Sequence, residues 1–256
     1  MSVPNARIKE RKRVATMTKL LRSKDRKVTN AVSPNGKTAT IANTFGLPAG
    51  KNFSCPGATS VCESVCYAGK LENLFPGVKK NLLHNWELIK NADEETMVSL
   101  LSAMIDEFIV DCDKKKAPKL FRIHWDGDFF SDTYTNAWKT VILNNKDIQF
   151  WVYTRVRSAA LVLNGIDNLS LYYSTDSENK AIGIELKTNN GIRLAYLAKN
   201  FAIGQEDMKA LTGKVGAKCP ENKKAIPLIS TAGSACVSCK LCVYSKADIV
   251  FSATKK

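Results

Sequence analysis

All but one of the eight cysteines fall into two groups whose spacing suits metal binding. The first group is Cys55, Cys62 and Cys66, and the second is Cys219, Cys236, Cys239 and Cys242. Cysteine thiolates bind iron–sulfur clusters and zinc. Two metal centres are therefore the leading interpretation of this sequence.

The C-terminal group favours an iron–sulfur cluster. Cys236, Cys239 and Cys242 follow one another at three-residue steps, which allows three thiolates to converge on one cubane. Cys219 would supply a fourth thiolate and close the site. Zinc is the main alternative. Disulfides are a weaker alternative, because no apolar signal-like segment is seen near the N-terminus and we therefore expect a reducing cytosol.

The N-terminal group has only three cysteines, so a cubane held by it would keep one iron open to a non-protein ligand. Such an iron can do chemistry. The alternative is that Cys55, Cys62 and Cys66 join a distant cysteine in a closed structural site. Cys112, inside a predicted helix over residues 94–113, is interpreted as a small packing residue.

Polar residues also collect where three predicted strands end. Ligands of parallel α/β sheets bind beyond the carboxyl ends of the strands, so these residues predict a polar binding site. The candidate catalytic residues are Asp126, Asp128 and Arg155, and the candidate cofactor-binding residues are Gly127, Asp128, Tyr153, Ser174 and Asp176. The alternatives are a simple turn at residues 126–128 and a helix cap at residues 174–177.

The strand that precedes Asp126 carries two further polar residues. Arg122, His124, Asp126 and Asp128 occupy alternate positions, so we expect them on one face while the strand lasts. His124 could equally be an interior imidazole with a hydrogen-bond partner.

Apolar periodicity predicts the elements that position these side chains. Strands are expected at residues 37–46, 120–125, 148–154, 169–174, 192–198 and 247–253. Helices are expected at residues 75–90, 93–113, 131–144, 158–164 and 178–188. Strands separated by helices indicate parallel βαβ units, hence an α/β protein with a partial (split) parallel β/α barrel and a C-terminal cysteine-rich segment. The predicted divisions are residues 1–37, 38–210 and 211–256.

The 256-residue chain has a formal charge of +14, and the excess is concentrated at its start. Residues 1–37 hold eleven Lys and Arg against Glu10 and Asp25. This composition predicts a basic arm that contacts nucleic acid, or a solvated segment that keeps the protein soluble. No apolar run approaches the length of a membrane span, so no membrane partner is expected.

Several motifs together resemble the gene product 88 family of bacteriophage proteins. They are residues 54–59 with Cys62 and residues 66–68, residues 126–131, residues 153–155 and the C-terminal cysteines. The resemblance covers most of residues 38–245. It implies a phage protein in the cytosol of the infected host cell, and it implies no activity.

A more distant resemblance is to radical S-adenosylmethionine (SAM) enzymes, whose partial barrel begins with a strand and a C-x3-C-x2-C loop. Cys62 and Cys66 match the first two positions, and Gly69 stands at the third. Cys55 would have to replace the missing cysteine from upstream. Gly127 and Asp128 occupy a place similar to the family's motif that receives the SAM amino group. The resemblance implies one or two [4Fe–4S] clusters, the C-terminal cysteines matching an auxiliary cluster by spacing.

Two functions follow from these observations. The first is an iron–sulfur enzyme that cleaves SAM reductively and acts on an unidentified substrate. The second is a non-catalytic iron–sulfur or zinc protein that binds nucleic acid or a host protein through its basic arm. The missing third cysteine and the arm favour binding, whereas the polar strand ends favour the enzyme.

Overall fold

The structure is a computed structural model that describes residues 19–33, 35–231 and 233–254. Its strands are β1 (Thr44–Gly46), β2 (Leu120–Asp126), β3 (Gln149–Thr154), β4 (Leu169–Thr175), β5 (Arg193–Ala198), β6 (Ala217–Lys218), β7 (Ile229–Ser230), β8 (Gly233–Ser234) and β9 (Ile249–Ser252). The helices are α1 (Ser60–Val65), α2 (Tyr67–Leu74), α3 (Pro76–Ile89), α4 (Glu94–Lys115), α5 (Asp132–Asn144), α6 (Arg157–Leu163), α7 (Lys180–Asn190), α8 (Phe201–Thr212) and α9 (Ala235–Cys239).

Seven strands form one parallel sheet in the order β1-β2-β3-β4-β5-β9-β6. The first five strands follow chain order. Each of these strands is added on the same side of the one before it. With right-handed crossovers, the helices that connect them therefore lie on one face of the sheet. The predicted parallel α/β class is confirmed. Among the described residues the sheet is open, with β1 and β6 at its edges, and it does not close into a barrel.

The two faces of the sheet bury different partners because successive side chains alternate across a strand. Phe121, Val152 and Leu194 belong to the large core formed with the helices. Leu120 and Trp151, one residue away, pack instead against the cysteine-rich C-terminal segment. The second face is therefore covered by the segment that carries the four distal cysteines.

That C-terminal segment is part of the sheet, since β6 and β9 are two of its strands. Hydrogen bonds also tie its loops to β4. The Ser170 hydroxyl donates to the Val243 carbonyl at 2.7 Å, and the Tyr172 hydroxyl contacts the carbonyl of Ala247 at 3.0 Å. Residues 211–256 therefore share the main sheet.

The predicted basic arm is only partly visible, since its residues 1–18 lie outside the described chain. Residues 19–33 do not form an arm, contrary to the expectation for residues 1–37. Leu20 and Val28 are buried in the body, and Arg22 forms a 2.7 Å ion pair with Asp111. Within the described residues, no helix is long and apolar enough to cross a membrane.

Within the described residues, four helices were not predicted, namely α1, α2, α8 and the short α9, and the first strand is shorter than expected. The predicted strand over residues 37–46 is regular only at its last three residues. The other predicted helices and strands are present, with ends displaced by at most two residues.

Candidate functional site

The loop that carries the first three cysteines lies across the carboxyl ends of β2, β3 and β4. The Leu47 amide donates to the Asp126 carbonyl at 3.0 Å, which fixes the start of the loop on β2. Gly57 lies against the end of β3 so closely that a Cβ there would be 2.5 Å from the Arg155 carbonyl oxygen. Further along, the Ser60 amide donates to Glu178 beyond β4 at 2.9 Å.

Cys55, Cys62 and Cys66 line one cavity of about 370 Å³ at this end of the sheet. Burial raises the pKa of each of the three thiols, and the neighbouring Arg155 partly offsets that rise for Cys62. The thiols of Cys62 and Cys66 also raise each other's cost of ionisation, because both charges would face the same space. The predicted grouping of these three cysteines is therefore seen in the structure.

Three charged residues at the strand ends form a buried network that supports the cysteine loop. Asp128 accepts hydrogen bonds from the Thr154 hydroxyl at 2.6 Å and from the Arg155 amide at 2.8 Å. The Arg155 guanidinium pairs with Asp176 at 2.7 Å, and the Thr59 hydroxyl donates to the same carboxylate oxygen at 2.6 Å. Thr59 is the N-cap of α1, so the network sets the position of the helix that carries Cys62.

Asp128 has few free acceptor sites, because the Phe129 amide also donates to it at 2.8 Å. Burial raises its pKa to about 6, and these hydrogen bonds oppose the rise. Gly127 is equally enclosed. Its φ is +83°, and a Cβ there would lie 2.4 Å from the Ser54 hydroxyl oxygen. Both residues thus hold the loop against the sheet.

Asp126 is paired with an acidic residue that the sequence reasoning missed. Burial, followed by the charge of Glu72 and a hydrogen bond between the two carboxyl groups, raises the pKa of Asp126 well above its usual range. Glu72 lines the three-cysteine cavity and accepts from the Ala49 amide at 2.8 Å. The one signal in the sequence that could have identified Glu72 is its place in the helix that begins directly after Cys66.

Arg122 and His124 lie on opposite faces of the sheet, so the expectation that they share a face with Asp126 is wrong. His124 has a left-handed backbone with φ +61°, which interrupts the alternation of side chains. Its Nε2 is 2.8 Å from the Tyr134 hydroxyl among the crossover helices. Burial lowers the pKa of His124 to about 3, so the imidazole is neutral.

Arg122 lies on the other face, between the two cysteine groups. Its guanidinium stands over the Tyr153 ring at 5.5 Å from the ring centroid and 3.6 Å from Asp25. It is hydrogen-bonded to Tyr67, the residue after Cys66, and its charge partly offsets the rise that burial causes in the pKa of Cys236. A buried cation therefore stands near both groups.

Tyr153 and Ser174 do not join the other predicted cofactor residues. Tyr153 packs on Tyr172 and Phe251 under the C-terminal segment and is hydrogen-bonded to the Cys242 thiol. Ser174 pairs with Ala195 inside the sheet. Asp126, Asp128, Arg155 and Asp176 are the predicted residues that gather at the strand ends.

The four C-terminal cysteines line a second cavity, of about 20 Å³, on the opposite side of Arg122. Burial raises the pKa of Cys242 to about 12 and that of Cys236 further. The backbone of this segment is held by residues near the N-terminus, since the Cys236 amide donates to the Lys27 carbonyl at 3.0 Å. Cys112 is buried in the helical core, which confirms its predicted packing role.

All eight cysteines are free thiols. In the described part of the chain, no three or more His, Cys, Asp or Glu side chains are arranged to hold a metal ion. The predicted metal ligands are thus grouped around two cavities, without the compact geometry of a bound single ion.

The fold and site define a parallel α/β protein with a cysteine-bearing loop across its strand ends. Comparison of its sequence with known proteins identifies its family. The family model described as Gene product 88 matches residues 18–245, and the chain belongs to this family. It is 53% identical over 245 residues to the Gene 88 protein of Mycobacterium phage L5 and 50% identical over 246 residues to that of phage D29. Each alignment covers 94% of this chain and the full length of the relative. No solved structure matches the chain.

Proposed function

We propose that this phage protein is an iron–sulfur protein with a radical-SAM-like architecture. Cys55, Cys62 and Cys66 would hold one [4Fe–4S] cluster, and the four C-terminal cysteines would hold a second. The observation that carries the proposal is that three thiols line one cavity at the carboxyl ends of a parallel sheet. Ligands of parallel α/β proteins bind at this end.

The size of the three-cysteine cavity favours a cluster over zinc. A zinc ion holds all its thiolates at about 2.3 Å, whereas each thiolate of a cubane binds a different iron, so cubane ligands lie farther apart. The three N-terminal thiols line a cavity of about 370 Å³, which has room for the larger group. The C-terminal cavity is much smaller, and its lining includes Ile226, Leu241 and Ile249, so a metal centre bound by its cysteines would be shielded from water.

A cluster with one open iron would supply an electron to SAM and cleave its sulfonium bond. The protein's own residues would orient the cofactor and exclude water. Asp128 and Arg155 contribute by position, because their hydrogen bonds fix the loop and α1. Asp126 is paired with Glu72, which lines the cavity, and the raised pKa of Asp126 makes it the better candidate for exchanging a proton with a bound ligand.

The test is anaerobic reconstitution followed by iron and sulfide assays and an absorption spectrum. We expect about eight irons per chain for two cubanes and about four if only one forms. Reduced protein should then convert SAM to 5′-deoxyadenosine. Colourless, iron-free protein would contradict the cluster, whereas a loaded and reducible cluster that leaves SAM intact would contradict only the SAM chemistry.

The alternative is a non-catalytic iron–sulfur or zinc protein that binds nucleic acid or a host protein. The absence of a third cysteine at Gly69 and the basic residues 1–18 favour it. A variant in which Arg11, Lys12 and Arg13 are replaced by alanine separates the two. Loss of partner binding with SAM cleavage retained would show that the segment serves recognition in an enzyme. Loss of partner binding in a protein that does not cleave SAM would favour the non-catalytic binding protein.

A further inference from the structure

Helices α2 and α3 form a basic and apolar rim around the three-cysteine cavity. The cavity is lined by Gly69 and Asn73 of α2 and by Lys79 and Leu83 of α3. Because residues three or four apart share a helix face, Lys70 lies on the same side of α2 as Asn73. Lys79 is therefore a cation of the cavity wall, and Lys70 lies beside the part of α2 that lines it.

The cations on this rim are not neutralised within the protein. Lys70, Lys79 and Lys80 are exposed, and none has an ion-pair partner among the residues that the structure describes. Glu63 is the exposed acidic residue of the cavity lining, and it faces Lys51 at 3.8 Å. The excess charge is positive, which suits a polyanion.

Exposed apolar side chains, two of them aromatic, accompany these lysines on the rim. Phe75, in the turn that joins α2 to α3, is 52% exposed, and Leu74 beside it is 70% exposed. Phe53 lines the cavity, is 41% exposed, and is held edge-on against Trp86 of α3. Exposed aromatic rings between cations form the surface on which single-stranded nucleic acids stack their bases.

The first described residues of the chain lie against this same helix. The Lys19 carbonyl is 2.9 Å from the His84 ring, and the Leu21 amide donates to Asn85 at 2.7 Å. Residues 1–18 contain five Lys and Arg against Glu10 alone. The chain therefore carries a second basic segment, and the residue that follows it contacts α3.

We propose that the rim binds a single-stranded polynucleotide and presents one of its nucleotides to the three-cysteine cavity. This inference rests on the proposed function, because it names the substrate class of that site. The lysines would contact phosphates, and Phe75 and Phe53 would stack on bases.

Fluorescence anisotropy with labelled single-stranded DNA or RNA of about 20 nucleotides tests the inference, since typical sites span roughly 4–16 nucleotides. Lys70→Glu with Lys79→Glu should weaken binding at least tenfold and reduce the slope of log affinity against log salt by about 1.4, from about 0.7 per phosphate contact. Arginine at both positions should retain binding. Phe75→Ala should weaken binding about fivefold or more.

The matched control is Lys209→Glu with Lys214→Glu. These exposed lysines lie in and just after α8, which packs on β5 and β9 rather than beside the rim. The control should bind within about twofold of the wild-type protein. Equal losses in both double variants, or no loss in either, would overturn the inference. So would competition by polyglutamate as strong as competition by unlabelled oligonucleotide, because the rim would then fit an acidic protein.

The outcome is separable from that of the proposed chemistry. Binding that depends on the rim in a protein that does not cleave SAM would contradict only the chemistry. If the protein cleaves SAM but the rim variant and the control variant bind oligonucleotide equally well, only the inference of a polynucleotide substrate is contradicted. Preference between DNA and RNA is read from the same titrations, because the 2′-hydroxyl distinguishes them.

Discussion

Cys55 is the residue on which the three-thiol site depends, because Gly69 occupies the position where a C-x3-C-x2-C loop has its third cysteine. Gly69 lies in the same cavity, and a Cβ at this position would be 3.8 Å from the Cys66 sulfur, an ordinary contact. A side chain at residue 69 therefore has room. Under the proposed function, Cys55 and a cysteine at residue 69 would be two alternative sources of the same thiolate ligand.

This equivalence predicts the outcome of an exchange. Cys55→Ser should lose the iron bound at the N-terminal group, and Gly69→Cys in the same chain should restore it, since a thiolate returns to the cavity. Iron content and absorption near 400 nm are the measurements, with the C-terminal cysteines changed to serine to isolate one site. Iron retained in Cys55→Ser alone would show that Cys55 is not a ligand.

His124 makes the stability of the protein sensitive to acid. Its pKa is lowered to about 3 by burial, while an unfolded histidine has a pKa of about 6.5. Below pH 6.5 the unfolded chain therefore binds a proton that the native protein does not, so the free energy of unfolding falls as the pH drops from about 6.5 to about 3.

His124→Asn should flatten this dependence, because asparagine does not titrate and tolerates the left-handed backbone. The variant is expected to be less stable at pH 7 through lost packing, yet to lose less on acidification. Urea denaturation at several pH values gives the comparison. The difference between the two proteins isolates His124 from Asp128, whose raised pKa acts in the opposite direction. Parallel curves would contradict a buried neutral imidazole.

At the scale of elements, the short helix α1 is held by partners distant in the chain. It buries no residue of its own, and its N-cap Thr59 is tied to Asp176, which in turn pairs with the buried Arg155. The orientation of Cys62 therefore depends on the end of β4. The six residues of α1 do not by themselves indicate this dependence, because the partners are distant in sequence.

Asp176→Ala should destabilise the protein by about 3–5 kcal/mol, because it leaves the Arg155 guanidinium buried without a counter-charge. The exposed pair Arg157 and Glu185 gives a control, since Glu185→Ala should cost less than about 1 kcal/mol. The double change Arg155→Met with Asp176→Leu should recover most of the loss. Free energies of unfolding in urea measure all three. A small effect of Asp176→Ala would show that water reaches Arg155.

Elements with strong apolar periodicity were predictable, and those shaped by contacts were not. Helices α3, α4 and α5 present apolar residues at helical spacing to the core. Helix α8 escaped prediction because Gly204 interrupts its pattern. A Cβ there would lie 2.5 Å from a Val250 methyl, so the glycine permits close packing of α8 on β9.

The candidate site follows the same division. The two cysteine groups and the strand-end acids were predictable from residue type and from the rule that parallel strands end at one edge. The face of His124 was not, because its own left-handed backbone interrupts the alternation of side chains along β2. Glu72 was missed because its partner Asp126 is distant in sequence, and only the fold brings the two carboxyl groups together.

At the scale of the whole molecule, residues 211–256 are expected to fold together with the rest of the chain. Strand β9 lies between β5 and β6, and the segment covers Trp151 and Tyr172. A chain ending at residue 210 would expose these rings and leave β5 unpaired on one side. We expect that truncated chain to be insoluble, and the intact protein to unfold in one calorimetric transition. A soluble, folded fragment of residues 1–210 would establish two independent domains.

The place of β9 in the sheet also bears on how the protein is made. The last strand of the chain inserts next to β5, so the sheet cannot be completed until residue 252 has left the ribosome. Until then, the edge of β5 and the aromatic face behind it stay open in the nascent chain. Such long-range pairing is slow and exposes surfaces that aggregate. In an infected cell, yield would therefore depend on how fast synthesis finishes and on host chaperones that shield the incomplete sheet.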